Sequence, residues 1–236
     1  MTDPAELCDR AVRLYPTDPE AAYDLFVEAA QQGFPNAFFG LAEMKMSGVG
    51  TERDPEGALE LYTAAAEAGH PPSMYRLGAY YSGAAGAGED PEKCRFWFER
   101  AANAGMEQAY PEIAGIYLYG YGTPQDTVKA FHWYSKAAEA GDPLSMFKVG
   151  YMRSEGVGAE KDMDEAVRMF RMSAVAGVPE AMFKMATLAR DGVVPGGAKA
   201  ALSWYRSASD AGFMPATFNM ATMYYEGEGT DKDLEK

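Results

Sequence analysis

The sequence contains few of the residues on which enzymes and metalloproteins most often depend. It has two cysteines and two histidines in 236 residues, and neither His70 nor His132 has a partner at a metal-ligand spacing such as His-x-x-x-His. The Gly-x-Ser-x-Gly motif of one large class of serine hydrolases is absent. The glycine-rich run from Gly83 to Gly88 lacks the Gly-Lys-Ser/Thr ending of a phosphate loop. We therefore expect a chain that is not an enzyme and has no catalytic residue, no metal site and no cofactor.

Long apolar runs and positive charge are also scarce. No stretch of 18 or more apolar residues occurs, and no basic segment followed by an apolar run opens the chain, so neither a membrane span nor a secretory signal is predicted. The 21 basic residues are outnumbered by 35 acidic ones, which gives a net charge of −14. Nucleic acids and anionic membranes attract basic surfaces, so we expect neither as a partner. Cys8 and Cys94 stand in unrelated contexts, and because neither a signal nor a membrane span is visible we expect a cytoplasmic location.

The main feature of the sequence is a period. Six glycines, called here the anchor glycines, follow one another at steps of 36 residues four times and then 35. A repeat of this length is typical of stacked arrays of small helical units. The anchor glycines are Gly33, Gly69, Gly105, Gly141, Gly177 and Gly212.

An amphipathic helix is predicted before each anchor glycine. Counting from the anchor, position −11 is small, −8 is large and apolar, −7 is aromatic, and −4 and −3 are small. This spacing places all five side chains on one face of a helix. The aromatic residues at −7 are Phe26, Tyr62, Phe98, Tyr134, Phe170 and Tyr205. The anchor itself suits the left-handed residue that ends a helix.

A second helix is predicted after each anchor, with small or apolar residues at +4, +8 and +9 facing the core. A glycine-rich turn follows, and pairs such as Asp54-Pro55 then begin the next first helix. The aromatic residues at +6 are predicted to make contacts between stacked repeats. Two departures are expected to change the pattern locally: Pro111 kinks a second helix or delays its start, and Val194 replaces a turn glycine in a repeat that is one residue short.

These motifs resemble those of the Sel-like repeat (SLR) family, which is related to the tetratricopeptide repeats. The pattern is Ala-x-x-Trp-Tyr-x-x-Ala-Ala-x-x-Gly, then Ala-x-x-x-Leu-Gly and Gly-x-Gly, and residues 130–158 fit it best. The resemblance covers about residues 18–229. It implies an all-α fold, a right-handed superhelical solenoid of antiparallel helix pairs, and a role in assembling protein complexes without chemistry of its own.

Three segments are expected along the chain. Residues 1–17 are predicted to form an N-terminal capping helix with Leu7, Ala11 and Leu14 on one side. Residues 18–230 hold six Sel-like repeats in one solenoid, and residues 231–236 form either the start of a further repeat or a tail.

Positions +3, +7, +10 and +14 of the second helices point away from the core. In related superhelical repeats this side lines the concave groove, so the resemblance implies that these positions form the partner-binding surface. Position +7 is occupied in turn by Gly40, Arg76, Glu112, Lys148, Lys184 and Asn219. Three basic side chains at equivalent positions of an acidic chain, with Tyr151 one turn from Lys148, indicate binding of a peptide through its carboxylates. The alternative is that these side chains form intramolecular salt bridges with acidic residues of the groove.

Two functions are compatible with this pattern. The favoured one is a non-enzymatic scaffold or adaptor that binds a protein or peptide in its groove. The other is the regulatory or targeting arm of a longer enzyme or signalling protein, whose catalytic domain lies outside these residues. Envelope association would fit a fragment of a longer chain.

Overall fold

The computed structural model describes residues 2–83 and 88–230, and within these ranges it contains thirteen α-helices and no strand. The predictions for Gly83 to Gly88 and for residues 231–236 therefore lie wholly or partly outside the described residues. The chain divides into two compact units, unit 1 over Met1–Pro124 and unit 2 over Gln125–Lys236. Unit 1 contains α1 (Pro4–Leu14), α2 (Pro19–Ala30), α3 (Pro35–Ser47), α4 (Pro55–Glu67), α5 (Pro71–Tyr81), α6 (Pro91–Asn103) and α7 (Ala109–Tyr119). Unit 2 contains α8 (Thr127–Glu139), α9 (Pro143–Glu155), α10 (Met163–Val175), α11 (Pro179–Arg190), α12 (Gly197–Asp210) and α13 (Met214–Glu226).

Within each unit every helix packs on the next one in the chain. The even-numbered helices from α2 to α12 are the predicted first helices of the repeats, and the odd-numbered helices from α3 to α13 are the second helices. All six aromatic residues at −7 are buried, and the small residues at −11 and +4 are buried in every repeat. The core is therefore a row of local interfaces, as the periodicity predicted.

The anchor glycines end the first helices in the predicted conformation. At Gly69 the φ angle is 90°, and the adjacent peptide groups close the helix with Gly69 N–H donating to Ala66 O and His70 N–H donating to Ala65 O, both at 3.0 Å. This is the Schellman arrangement, which requires a left-handed residue at that point. A Cβ atom added at Gly69 would meet no atom within 4 Å, so backbone conformation rather than space favours glycine there.

Aspartates begin most of the first helices. The side chains of Asp54, Asp90 and Asp162 each accept a hydrogen bond from the backbone N–H three residues later, at 2.9 to 3.0 Å. Each bond satisfies one of the donors that a helix start leaves without a partner. The prediction that Asp-x pairs start helices is confirmed at these positions.

The two expected departures are both present. Helix α7 begins at Ala109, four residues after its anchor, whereas α3, α5, α9 and α11 begin two residues after theirs, so Pro111 accompanies a delayed start. Val194 is buried in the hydrophobic cluster of unit 2. The helix that follows it, α12, begins at Gly197, and its N-cap residue Gly196 makes no side-chain hydrogen bond.

Aromatic rings join successive repeats inside each unit. In unit 1, Tyr75 at +6 lies 5.3 Å from Phe98 at −7 of the next repeat, measured between ring centroids. In unit 2, Phe183 lies 5.4 Å from Tyr205 in the same way. These distances suit aromatic pairs and confirm the predicted stacking at these positions, whereas Phe218, the +6 residue of the last repeat, is 73% exposed.

Candidate partner-binding surface

Three positions that are far apart in the sequence form a recurring set where two successive repeats meet. They are +10 of one repeat, together with −7 and +7 of the next repeat, and we call this set an inter-repeat triad. The stacking of a second helix on the following first helix brings them together. Two triads lie in each unit, and comparing them shows which side chains have partners.

The first triad of unit 1 is a closed network of Glu43, Tyr62 and Arg76. Arg76 holds the Glu43 carboxylate with two bonds, Nε to Oε1 at 2.8 Å and Nη2 to Oε2 at 2.9 Å. The Tyr62 hydroxyl donates to Glu43 Oε1 at 2.5 Å. Burial and then this carboxylate raise the pKa of Tyr62 well above its ordinary value. Every polar group that the triad contributes is therefore used within the protein.

The last triad of unit 2 is also a hydrogen-bonded network. The Tyr205 hydroxyl accepts a bond from Asn219 Nδ2 at 3.1 Å and lies 3.2 Å from Thr187 Oγ1. The Asn219 amide is thereby oriented, while its carbonyl oxygen accepts no hydrogen bond from a described residue. A primary amide held in this way offers a donor and an acceptor that match a peptide group.

The other triad of unit 2 contains an unpaired cation. Its members are Tyr151, Phe170 and Lys184, and the Lys184 ammonium lies 5.9 Å from the centroid of the Phe170 ring. This is near the outer limit of a cation–π contact. Lys184 forms no ion pair with any residue that the structure describes. Tyr151 is 49% exposed, so its ring is accessible to a ligand.

The second triad of unit 1 contains an unpaired acid. Its members are Ala79, Phe98 and Glu112, so the carboxylate stands where Arg76 stands in the preceding repeat. Ala79 and Phe98 have no polar side-chain atom with which to bind it. Loss of hydration in its concave surroundings raises the pKa of Glu112, although the side chain remains accessible to solvent.

The predicted site residues therefore fall into different situations. Lys148, Tyr151, Lys184 and Asn219 all lie on second helices of unit 2, and Lys148 has no ion-pair partner among the described residues. Arg76 lies in unit 1 and is bound by Glu43, which is the intramolecular alternative. Glu112 was not singled out from the sequence, although it is the single acidic residue at position +7. This negative charge, at a position that is basic or neutral in the other repeats, was the feature of the sequence that could have identified Glu112.

The remaining chemical candidates have structural contacts. His70 Nδ1 lies 2.9 Å from Ser73 Oγ, and its ring packs on Phe39 at 5.1 Å. The ring of His132 lies 5.1 Å from that of Trp133. Among the residues that the structure describes, no group of three or more His, Cys, Asp or Glu side chains is arranged to hold a metal ion.

One serine motif is present that the sequence expectations overlooked. Ser145 and Lys148 in α9 have the Ser-x-x-Lys spacing of one class of serine nucleophiles. Ser145 is 0% exposed, however, and its hydroxyl has no hydrogen-bond partner among the described residues. Since position +4 is a buried Ala or Ser in all six repeats, this serine is a packing residue out of reach of a substrate.

No helix within residues 2–83 and 88–230 is long and apolar enough to cross a membrane.

The fold and the triads together define the class of this protein: an all-α helical repeat solenoid whose helix pairs bury their apolar faces against neighbouring pairs. The chain belongs to the Sel1 repeat family, because the Sel1 repeat model matches residues 13–34, 35–70, 71–106, 112–142, 143–178, 179–213 and 215–236. Most of these matches begin at or within a second helix. The family model therefore starts each repeat about half a repeat later than the numbering from the anchor glycines does. Sel1 repeat proteins generally serve as non-catalytic scaffolds for protein interactions, which agrees with the role that the resemblance implied.

Two solved structures are similar over nearly the whole chain. One is c5321, a protective antigen present in uropathogenic Escherichia coli strains and displaying an SLR fold, with 26% identity and a TM-score of 0.89 over 98% of this chain and 51% of that one. The present chain thus spans about half the length of that protein. The other is a Sel1 repeat protein from Oxalobacter formigenes, with 27% identity and a TM-score of 0.79 over 97% of this chain and 92% of that one. A search of the curated proteins found no match.

Proposed function

We propose that this chain is a non-enzymatic scaffold that binds an acidic peptide segment of a partner protein on the second helices of unit 2. The observation that supports it most is the state of Lys148 and Lys184. Both are partly buried, both occupy position +7, and neither has an acidic partner among the described residues of a chain with net charge −14. A carboxylate of the ligand would supply the missing partner through a charge-assisted hydrogen bond.

Neighbouring side chains provide the rest of a peptide site. The exposed ring of Tyr151 offers a rigid surface for an apolar or planar group of the ligand, as aromatic residues do at the centres of many interfaces. Asn219, oriented by Tyr205, offers its amide to the ligand backbone. Arg76 is a weaker candidate, because a ligand carboxylate would have to displace Glu43 from it.

Two free cysteines support a reducing location such as the cytoplasm for this function. Cys8 and Cys94 are both buried and unpaired. Proteins of oxidising compartments more often join their cysteines.

The experiment is a selection of random peptides on the wild-type protein, followed by affinity measurements on the best binder. The selected peptides are expected to be rich in Asp and Glu. Replacing both Lys148→Gln and Lys184→Gln should weaken binding by about tenfold or more, since a tenfold change corresponds to about 1.4 kcal/mol and a charge-assisted hydrogen bond is worth at least that.

The matched control is the double variant Lys161→Gln with Lys199→Gln. Both lysines are exposed in unit 2 and belong to no triad, and the change in net charge is the same. Equal affinity of the two double variants would show that Lys148 and Lys184 do not bind the ligand and would reject the proposal.

A further inference from the structure

Glu112 occupies the position at which Arg76 and Asn219 form hydrogen bonds, but its neighbours leave it without a partner. The Glu43 position of the preceding triad is taken by Ala79, and the Tyr62 position by Phe98. No hydrogen bond or ion pair joins Glu112 to any residue that the structure describes. In this triad the Glu112 carboxylate is therefore not bound by any residue that the structure describes.

A pocket of about 330 Å³ lies in front of this carboxylate. Its walls include Phe98, Ile116, Tyr119 and Tyr121, and Gly115 at position +10 adds no side chain to fill it. Tyr119 is 74% exposed. Among the described lining residues, only Glu112 is charged at pH 7, so the pocket combines one negative charge with aromatic walls.

Three cations of unit 1 have acidic partners of their own. Arg76 is held by Glu43, the Lys93 ammonium lies 3.1 Å from Asp90 Oδ2, and Arg95 Nη1 lies 3.0 Å from Glu99 Oε2. These three cations could neutralise Glu112 only if their present ion pairs were broken.

The carboxylate also disturbs its surroundings. Its charge is the second cause, after burial, of the raised pKa of Tyr75, and likewise of the raised pKa of the Cys94 thiol. Both groups are neutral at pH 7, so these shifts show only that they lie close to the carboxylate, whereas a cation in the pocket would offset the loss of hydration of Glu112 itself. The electrostatics therefore favour a positively charged occupant.

We propose that this pocket binds the ammonium or guanidinium group of a lysine or arginine side chain in a basic segment of a partner protein. The Glu112 carboxylate pairs with the cation, and the aromatic walls contact its aliphatic stem and favour the charge through cation–π attraction. This site uses other residues and the opposite charge from the surface of unit 2, so it stands or falls independently of the proposed function.

The test compares a short Gly/Ser peptide that contains one arginine with the same peptide containing citrulline, which keeps the shape and removes the charge. Binding is measured by calorimetry or by chemical-shift changes in NMR spectra. The wild-type protein should prefer the arginine peptide by about tenfold or more, the scale of one charge-assisted contact. Glu112→Gln should abolish this preference. Equal binding of the two peptides, or an unchanged preference in Glu112→Gln, would overturn the proposal.

Two further variants separate the pocket from general attraction to an acidic protein. Glu107→Gln removes the same charge from an exposed residue just before α7 and should leave the arginine preference intact. Ala79→Arg keeps Glu112 but supplies an internal guanidinium at the Glu43 position, and it should reduce peptide binding as strongly as Glu112→Gln does. Unaltered binding by Ala79→Arg would show that a side chain at position 79 does not reach Glu112, and would contradict the proposed triad.

The source of the cation is tested with N-acetyl-arginine amide, which offers the same guanidinium without a peptide chain. It should bind more weakly than the peptide, because contacts of the flanking backbone are lost. Equal affinity for the amide would reject a basic peptide as the occupant.

Discussion

Burial determines the chemistry of the two thiols. Cys8 and Cys94 are 6% and 2% exposed, and burial raises the pKa of each to about 11. Nearby carboxylates, Asp9 for the first and Glu112 with Asp90 for the second, add to the effect. Since the thiolate is the reactive form, neither residue has the environment of a catalytic cysteine.

Both thiols are accordingly expected to react slowly. With the pKa raised from 9.0 to about 11, the thiolate fraction at pH 8 falls roughly a hundredfold, and burial slows access further. Alkylation by iodoacetamide, followed by mass spectrometry, should show little modification of the native protein and two modified cysteines after unfolding in urea. Rapid alkylation of the folded protein would contradict this picture.

Glu112 is predicted to reduce stability at neutral pH. Its pKa is higher in the folded protein than in the unfolded chain, so the folded state binds the proton more tightly and stability falls as pH rises through this range. Glu112→Gln should therefore raise Tm at pH 7, and the gain should shrink toward pH 4. Tyr75 and Cys94 stay neutral over this interval because their pKa values are raised, so they do not obscure the result. A Tm gain that is independent of pH would argue against an ionised Glu112 as its cause.

At the scale of helices and turns, two kinds of glycine are required for different reasons. Gly69 has a left-handed φ of 90° with open space around it. Gly78 lies inside α5, where a Cβ atom would stand 2.7 Å from Phe98 Cγ on the next first helix. Conformation selects the first glycine, and the close approach of two helices selects the second.

Both Gly69→Ala and Gly78→Ala should destabilise the protein. The first is expected to cost about 1 to 2 kcal/mol for a left-handed alanine. The second should cost about 1 to 3 kcal/mol from overpacking, which outweighs the gain of about 0.5 to 1 kcal/mol from helix propensity. Urea unfolding measures both.

The two mechanisms separate in a double-mutant cycle with Phe98→Ala, which removes the Cγ and Cδ atoms that a Cβ at Gly78 would meet. The penalty of Gly78→Ala should shrink in this background because the smaller side chain gives way, whereas the penalty of Gly69→Ala should not change. Identical behaviour of the two glycine variants would rule out the steric explanation for Gly78.

For the molecule as a whole, the excess of negative charge is the dominant electrostatic property. A net charge of −14 favours solubility and also causes repulsion within the compact state. The ion pairs seen between described residues are partly exposed and individually contribute little. Screening of these charges by salt should therefore stabilise the folded state by reducing repulsion more than it destabilises it by weakening the ion pairs.

We expect Tm to rise when NaCl is increased from low concentration to about 0.2 M. If screening is worth about 1 kcal/mol, the rise is roughly 2 to 4 °C for a chain of this size. Calorimetry at neutral pH measures it, and the same titration close to the isoelectric point is the control, where the effect should largely vanish. A fall of Tm with salt at neutral pH would mean that the ion pairs outweigh the repulsion.

The periodicity alone was sufficient to predict the helices, their buried faces, their turns and the stacking aromatics. Each of these depends on residues within about one repeat, such as Phe170 with Ala166 and Ala174 on one face of α10. The delayed start of α7 is one of the two outcomes predicted from Pro111, the other being a kink, since proline acts through its own backbone.

The pairing of charges required the tertiary structure. Arg76 and Lys184 occupy the same position of the repeat, yet one is bound by Glu43 and the other lies over Phe170 without an acid. The difference arises because each triad joins side chains from two successive repeats, 33 residues apart in the case of Glu43 and Arg76. Helical periodicity specifies the direction in which a side chain points, whereas the packing of one helix on the next decides which side chain it meets there.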